Sequence, residues 1–210
     1  EGDVLVGVTD AATRGSRLSA VGAGAVIRVG DEVCLGYGAA GHSNLLHVAE
    51  GASLVAGSGG LVVGEQGSCN EVRLESGARA QSQGVTLGAE SGSRSNRLIV
   101  SGAGSVWTND GLFALSPLGA PGNRMEIADG GRVCSDVLRV GPGATLQLRA
   151  GGTAQAVVIV EKEGLLEGEG SLTGTLYNAG SLQPGLPVGT LEADGEVILG
   201  SDSELSLRLG

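Results

Sequence analysis

Aromatic residues are scarce in this sequence. Its 210 residues include one Phe, one Trp and two Tyr, whereas 40 are Gly. A globular core normally draws much of its buried area from aromatic side chains, so their scarcity argues against an ordinary compact core. The apolar residues are mostly Val, Leu and Ala, which can stack on copies of themselves. Gly allows the tight corners that such stacking requires.

The sequence also lacks long apolar runs and an excess of basic residues. No run approaches the 18 apolar residues that suggest a membrane-spanning helix, and no signal peptide is visible. The formal net charge is −10, from 23 acidic and 13 basic residues, whereas binding a phosphate backbone requires a basic face. We therefore expect no membrane insertion and no nucleic acid as a partner.

Cysteines occur in an odd number and without metal-binding spacing. Cys34, Cys69 and Cys134 form no Cys-x-x-Cys pair, and no His lies at zinc-ligand spacing, so we expect no zinc site. Cys34 and Cys134 fall in apolar runs and are interpreted as small core residues. Cys69 lies in a Gly-Ser corner and is expected to be exposed. The sequence leaves open whether any of the three forms a disulfide.

Two low-complexity classes are disfavoured by the order of the residues. Gly does not recur at every third position, which excludes a collagen triple helix. Disorder is a competing interpretation of so much Gly, Ser and Ala. However, the alternation of Val and Leu is too regular for a solvated chain.

The sequence does contain a repeat of about 26 residues. Its first anchor is Asn-x-apolar-x-apolar, and successive anchor asparagines are 26, 26 and 27 positions apart. A second anchor, a short apolar run closed by Gly, appears at residues 61–64 and 85–88. Such a fixed period is typical of stacked repeats. The anchor asparagines are Asn44, Asn70, Asn96 and Asn123, and Ser16 stands in the asparagine place one repeat earlier.

Each repeat divides into three short strands with corners of Gly, Ser, Asn and Asp. No apolar pattern at helical spacing lasts two turns without Gly, so almost no helix is expected. Three strands in 25–27 residues predict an all-β fold, a single-stranded parallel β-helix in which each strand pairs with its counterpart in the next coil. Regular repeats occupy residues 1–143 and shorter C-terminal coils occupy 144–210. No linker separates them, so one continuous β-solenoid is predicted over 1–210.

In such a coil the anchor asparagines lie above one another. The sequence therefore predicts a structural ladder in which each amide bonds to the next coil. The alternative is that the four are unrelated turn residues. The predicted ladder comprises Asn44, Asn70, Asn96 and Asn123.

One repeat departs from the pattern. Ser116 stands where Gly should close the strand, and Pro117, Leu118 and Pro121 follow. Because Pro cannot donate to a ladder, this corner is predicted to bulge outward as a longer loop. These four residues are the candidate interaction loop. Trp107 lies in the same repeat, and the sequence leaves open whether it fills a gap in the core or is partly exposed.

Five segments carry further Gly-rich motifs: 102–109 (Gly-Ala-Gly-Ser-Val-Trp-Thr-Asn), 122–131, 166–174, 178–185 and 189–191. The first two resemble the repeat of bacterial autotransporter passenger domains and PEP-CTERM-associated surface proteins. The others are similar to the Gly-x-Gly, Asn-x-Gly and Pro-Gly punctuation that closes such passengers. In that family a second Pro usually stands directly before Gly-Thr-Leu, whereas here Pro187 stands one place early and Val188 intervenes. The resemblance implies a secreted β-solenoid displayed at the bacterial cell surface.

No catalytic constellation emerges from the sequence. Acidic residues are scattered at corners, with no spacing that places a pair on one face. Neither a Gly-x-Ser-x-Gly elbow nor a Gly-Lys-Ser/Thr phosphate loop is present. His47 is expected to point outward and be exposed, five positions after His42. We therefore predict no enzyme, no cofactor and no metal, with Asn109–Gly111 and Asp129–Gly131 as no more than weak Ca²⁺ corners.

Three functions remain in consideration. We predict a non-enzymatic structural protein of the bacterial cell surface or extracellular matrix, a rod that stacks end to end into filaments. Open coil ends present unpaired backbone groups, and no capping helix is visible. The alternative is an adhesin-type passenger domain that binds a host or glycan surface through its loops. A glycan-active enzyme is disfavoured because no catalytic pair is evident.

Overall fold

The structure is a computed structural model of the chain that describes residues 2–7, 15–185 and 189–207. Every regular element in these ranges is a β-strand, and none is a helix. The predicted all-β class is therefore confirmed for the described residues. The predicted departure from the family punctuation, at Pro187 and Val188, lies outside them, as does the end of the alternating segment that closes the chain, residues 208–210.

Twenty-three strands follow one another in the described residues. They are β1 (Val4–Val6), β2 (Arg17–Val21), β3 (Val26–Val29), β4 (Glu32–Leu35), β5 (Leu45–Ala49), β6 (Ser53–Ala56), β7 (Gly60–Val63), β8 (Glu71–Glu75), β9 (Arg79–Ser82), β10 (Val85–Leu87), β11 (Arg97–Ser101), β12 (Val106–Leu115), β13 (Arg124–Ala128), β14 (Arg132–Val140), β15 (Thr145–Leu148), β16 (Thr153–Val160), β17 (Leu165–Gly168), β18 (Ser171–Thr173), β19 (Leu176–Asn178), β20 (Ser181–Pro184), β21 (Glu192–Asp194), β22 (Val197–Leu199) and β23 (Glu204–Leu205).

The strands form two sheets with parallel pairing. The nine-stranded sheet has the order β2-β5-β8-β11-β13-β15-β17-β20-β23, and its neighbouring strands lie one repeat apart in the sequence. Leu98, for example, is in register with Val72 on one side and Met125 on the other. The sheet continues from the regular repeats into residues 144–207 without a change of order. Both parts of the chain therefore contribute to the same sheet.

The second sheet has fourteen strands and takes two strand positions from each repeat. Early in the chain these positions are occupied by separate strands, such as β6 and β7. The long strands β12, β14 and β16 cover both positions and join them. The pairing registers of these long strands shift between Asn109 and Leu112 and between Cys134 and Val137, where the chain bends. After β16 the two positions separate again.

Alternation along each strand builds the core. Side chains point to opposite faces with a period of two. In β8 the side chains of Val72 and Leu74 are therefore fully buried, while Glu71, Arg73 and Glu75 face out. The parallel register then places apolar side chains of successive repeats on top of one another. Each fully buried aliphatic side chain contributes about 1.5–3 kcal/mol, so many Leu, Val and Ala side chains replace the missing aromatic ones.

Trp107 is completely buried. It is in register with Ala80 on one side and Val133 on the other, and the small Ala80 leaves room for the indole. Its ring packs edge-on against Phe113, with centroids 6.0 Å apart. The indole Nε1–H donates to Ser82 Oγ at 3.0 Å. Trp107 is thus a core residue, which decides between the two interpretations left open by the sequence.

Candidate functional site

Four buried asparagines form one column, here called the asparagine column. Asn44 Nδ2 donates to Asn70 Oδ1 at 2.8 Å, Asn70 Nδ2 to Asn96 Oδ1 at 3.0 Å, and Asn96 Nδ2 to Asn123 Oδ1 at 3.1 Å. Each of these Oδ1 atoms also accepts the backbone N–H of the preceding asparagine. Ser16 N–H donates to Asn44 Oδ1 at 3.0 Å. The column therefore links five successive repeats through the side-chain amides.

The column explains why Gly closes the strand before each corner. Gly36, Gly64 and Gly88 all adopt φ values of +72° to +73°, a left-handed conformation that Gly enters without strain. At each position an added Cβ would overlap the amide of the asparagine one repeat further on. The glycine thus provides both the corner conformation and the space for the next amide.

Ser116 takes the glycine position in the repeat where the column ends. Thr145 is in register with Arg124, so Ala144 occupies the asparagine place of the following repeat. With no amide to accommodate there, a side chain fits at Ser116 despite its φ of +49°. Its hydroxyl donates to Ala120 O at 2.7 Å and accepts Asn123 Nδ2–H at 3.0 Å. Ser116 therefore terminates the column.

The length of the candidate interaction loop lies within the range of the other corners. Ser116 precedes Asn123 by seven positions, and the corresponding glycines precede their next asparagines by eight, six and eight. The predicted longer loop is therefore wrong. The prolines fit because the corner is already free of the strand pairing. Ser116 is buried, Pro117 is half-buried, and Leu118 and Pro121 are exposed, Leu118 by 60%.

The sequence reasoning missed a second buried polar column. Ser82 Oγ donates to Asn109 Oδ1 at 2.8 Å, and Asn109 Nδ2 donates to Ser135 Oγ at 3.0 Å. These residues are 27 and 26 positions apart, which is the spacing of the anchor asparagines. The period itself could have revealed them. Asn109 also bonds Gly111 O at 3.1 Å, so its side chain takes part in a structural hydrogen-bond network.

A charged surface on the nine-stranded sheet also escaped the sequence reasoning. Arg97 Nη2 donates to Glu126 Oε2 at 2.5 Å, and Arg149 Nε lies 3.1 Å from Glu126 Oε1. Arg124 Nη2 donates to Glu167 Oε1 at 3.1 Å. These side chains surround a surface depression of about 370 Å³, here called the arginine depression. Its lining is Ser95, Asn96, Arg97, Gly122, Arg124, Glu126 and Arg149.

The two histidines are half-buried, so the expected exposure of His47 is wrong. His47 lies on the outer face of the same sheet, where Arg17 donates to its Nδ1 at 3.1 Å and its Nε2 bonds Glu75 at 2.9 Å. Side chains from the repeats on either side cover the ring. His42 Nδ1 accepts Ser68 N–H at 3.0 Å. Both rings serve cross-repeat hydrogen bonds.

The three cysteines are free thiols in different surroundings. Cys34 is fully buried and Cys69 is exposed, as predicted. Cys134 is only half-buried, because its side chain points outward from β14, in register with the exposed Thr108. Burial and, to a lesser extent, the nearby carboxylates of Glu32 and Glu65 raise the pKa of Cys34 to about 12.

Alkylation of the folded protein should therefore separate the cysteines. At pH 8, about one Cys34 thiol in ten thousand is ionised, and only the thiolate reacts readily. We expect iodoacetamide to modify Cys69 and leave Cys34 untouched, as measured by mass spectrometry of the peptides. Cys34 should react at the rate of Cys69 once guanidinium unfolds the chain. Equal rates in the folded protein would contradict the burial of Cys34.

Two further depressions lie on the outside of the fourteen-stranded sheet. One, of about 620 Å³, is mainly apolar and includes Ile159, Tyr177 and Ile198, which are in register on neighbouring strands. The other, of about 530 Å³, includes Asp110 and Asp136 on successive repeats. The second depression includes Asn109 and Asp110 of the corner that the sequence named as a weak Ca²⁺ site, whereas neither depression includes a residue of the candidate interaction loop.

Within the described ranges, no helix has the length and apolar character needed to cross a membrane. No cluster of three or more His, Cys, Asp or Glu side chains there is arranged to hold a metal ion. No protein-family model matches the chain, and no curated protein and no solved structure matches it either. The resemblance to autotransporter passenger and PEP-CTERM-associated repeats therefore stays a prediction.

Proposed function

We propose that this chain is a single-stranded parallel β-helix that acts as a non-enzymatic structural rod of the bacterial cell surface or extracellular matrix. The observation that carries the proposal is the order of the strands. β5 and β8 are neighbours in the nine-stranded sheet, yet the chain between them forms β6 and β7 in the other sheet. A chain that leaves a sheet, visits the other and returns one place further along is winding around a common core.

The direction of the hydrogen bonds supports a mechanical role. In both sheets the backbone bonds run from one repeat to the next, and the asparagine column adds side-chain bonds along the same direction. Bending such a rod would strain many bonds at once. Each repeat contacts mainly its neighbours, so length can grow by repetition at about 4.8 Å per coil.

Self-association is supported by the last described strands. Leu199 is in register with the buried Asn178, and Leu205 with the buried Leu182, so both belong to the core columns. Their side chains are nevertheless 46% and 47% exposed. An open strand edge with apolar core positions is a template for a further strand. We propose that a second copy of the chain can add its strands there.

Two neighbouring residues on β22 provide a matched test. Leu199 continues a core column, whereas Ile198 is in register with the exposed Tyr177 and points sideways, although its exposure is similar at 42%. We expect Leu199→Glu to prevent assembly and Ile198→Glu to leave it intact, because only the first places a charge between stacked coils. Electron microscopy and light scattering of the purified chain measure the outcome.

The control for both variants is their far-ultraviolet spectrum, which should match that of the unmodified chain. A chain that stays monomeric at high concentration would overturn the self-association. Equal effects of the two substitutions would also count against stacking through the core.

An adhesin-type passenger domain is the second candidate function. The observation that favours it is the exposure of Leu118 at the tip of a corner, beside the exposed Pro121. Dispersed rods that bind host cells or glycans would support this function, provided that Leu118→Ser abolishes the binding without altering the fold.

A further inference from the structure

The outer face of the nine-stranded sheet gathers several arginines, although the protein is acidic overall. The net charge of the chain is −10, but the arginine depression brings three guanidinium groups around a single carboxylate, that of Glu126. Arg124 points away to Glu167, so Glu126 serves Arg97 and Arg149 alone. The depression therefore has more positive than negative charge at its rim.

Two of these arginines are stacked. Arg97 and Arg124 occupy the same register position on the neighbouring strands β11 and β13, which places like charges directly opposite each other. Such an arrangement is destabilising unless an anion lies between or beside the two charges. Arg97 pairs with Glu126 one strand further along and lies 4.0 Å from Glu71 on the preceding strand, and Arg124 pairs with Glu167 two strands further along. These carboxylates offset the repulsion, but none of them bonds the Nε–H group of either arginine.

Both stacked arginines also keep an unused donor. The Nε–H groups of Arg97 and Arg124 are buried and have no hydrogen-bond acceptor among the described residues. A buried donor without an acceptor costs about 1–3 kcal/mol. The two side chains as a whole are partly exposed, 40% for Arg97 and 35% for Arg124, and a rotation of either side chain would turn its Nε edge toward the depression.

We propose that the arginine depression binds the oxyanion of a small ligand, a carboxylate or a sulfate group. Arg97 and Arg124 would each present the Nε–H and Nη–H edge, whose fork geometry matches such an anion. Arg149 adds positive charge at the rim, and Ser95 adds a hydroxyl. The overall acidity of the chain restricts the ligand to a single anionic group or a short oligomer. The site lies on the side of the strands and does not depend on assembly through the ends.

Nuclear magnetic resonance of the arginine side chains tests the proposal on the unmodified chain. The Nε–H signals would be followed during titration with sodium sulfate and with sodium glucuronate, against sodium chloride at equal ionic strength and against glucose. We expect the Arg97 and Arg124 signals to shift with sulfate, glucuronate or both, and the Arg17 signal to stay in place. A response to sulfate alone assigns a sulfated ligand, and a response to glucuronate alone assigns a uronate.

Substitutions of opposite expected sign sharpen the test. Arg124→Gln should weaken anion binding about tenfold, since it removes a charge-assisted donor. Glu126→Gln should strengthen binding several-fold, because Arg97 and Arg149 lose the carboxylate that competes with the ligand. Arg17→Gln is the matched control on the same face and should change nothing. Absence of specific shifts in the unmodified chain, or weaker binding in a folded Glu126→Gln variant, overturns the proposal.

Discussion

Replacing Asn96 with alanine should lower the free energy of unfolding by about 4 kcal/mol. The asparagine sits in the middle of the column, and its Oδ1 accepts both the backbone N–H and the Nδ2–H of Asn70. Its own Nδ2 donates to Asn123 and to the carbonyl groups of Gly67 and Ser93. Truncation leaves several of these buried groups without partners. Chemical denaturation followed by circular dichroism measures the loss.

Asn178 offers a matched control for Asn96. It is also buried, at 2% exposure, but its side chain bonds only Gly180 in its own corner, at 3.3 Å in both directions. Asn178→Ala should cost about 1 kcal/mol, the usual value for a single hydrogen bond. If the two alanine variants lose the same free energy of unfolding, the hydrogen bonds between repeats contribute no stability beyond that of the buried side chain itself.

Gly88→Ala should cost about 5 kcal/mol, because two penalties act together. The residue adopts a φ of +72°, which strains any L-residue with a Cβ by about 1–2 kcal/mol. The new methyl group would also overlap the Asn123 amide, so the column must shift or break. Denaturation of the variant, monitored by circular dichroism, measures the combined loss.

Two companion variants separate the penalties. Gly104 has a similar φ of +80°, but an added Cβ would meet its nearest atom at an ordinary 3.6 Å. Gly104→Ala should therefore cost only the conformational strain. In the double variant Gly88→Ala with Asn123→Ala, the overlap with the amide is removed, whereas the close approach of the methyl group to Ser93 O, at 2.8 Å, remains. The loss of stability in the double variant should be smaller than the sum of the losses in the two single variants by about 2 kcal/mol or more, which is typical of residues in contact.

The repeat period could predict the strands and the asparagine positions because both are set by local sequence. Anchor asparagines 26 or 27 residues apart fall on one column whenever each repeat makes one passage through both sheets. The same spacing places Ser82, Asn109 and Ser135 in a second column. A search for one repeated residue type does not find it, because the column contains both Ser and Asn. Period alone is therefore a better guide to the buried polar residues than residue type.

Other features depend on the neighbouring repeats and were beyond a local interpretation. The prolines of the Ser116 corner predict a longer loop, whereas its structure depends on Ala144 in the following repeat. The alternation within its own strand predicts an exposed His47, whereas Arg17 and Glu75 on adjacent strands cover the ring. The arginine depression likewise requires the register that brings Arg97 beside Arg124.

The backbone conformation of the residue before each asparagine of the column determines how the surface can vary. Ser43, Cys69, Ser95 and Gly122 all have positive φ, between +58° and +75°, and all are exposed. Serine, cysteine and glycine thus occupy one conformation, so the backbone of the corner stays the same from repeat to repeat while its side chain is free to change. Chemical groups attached at these points would form a straight row at intervals of about 4.8 Å, the spacing of paired strands.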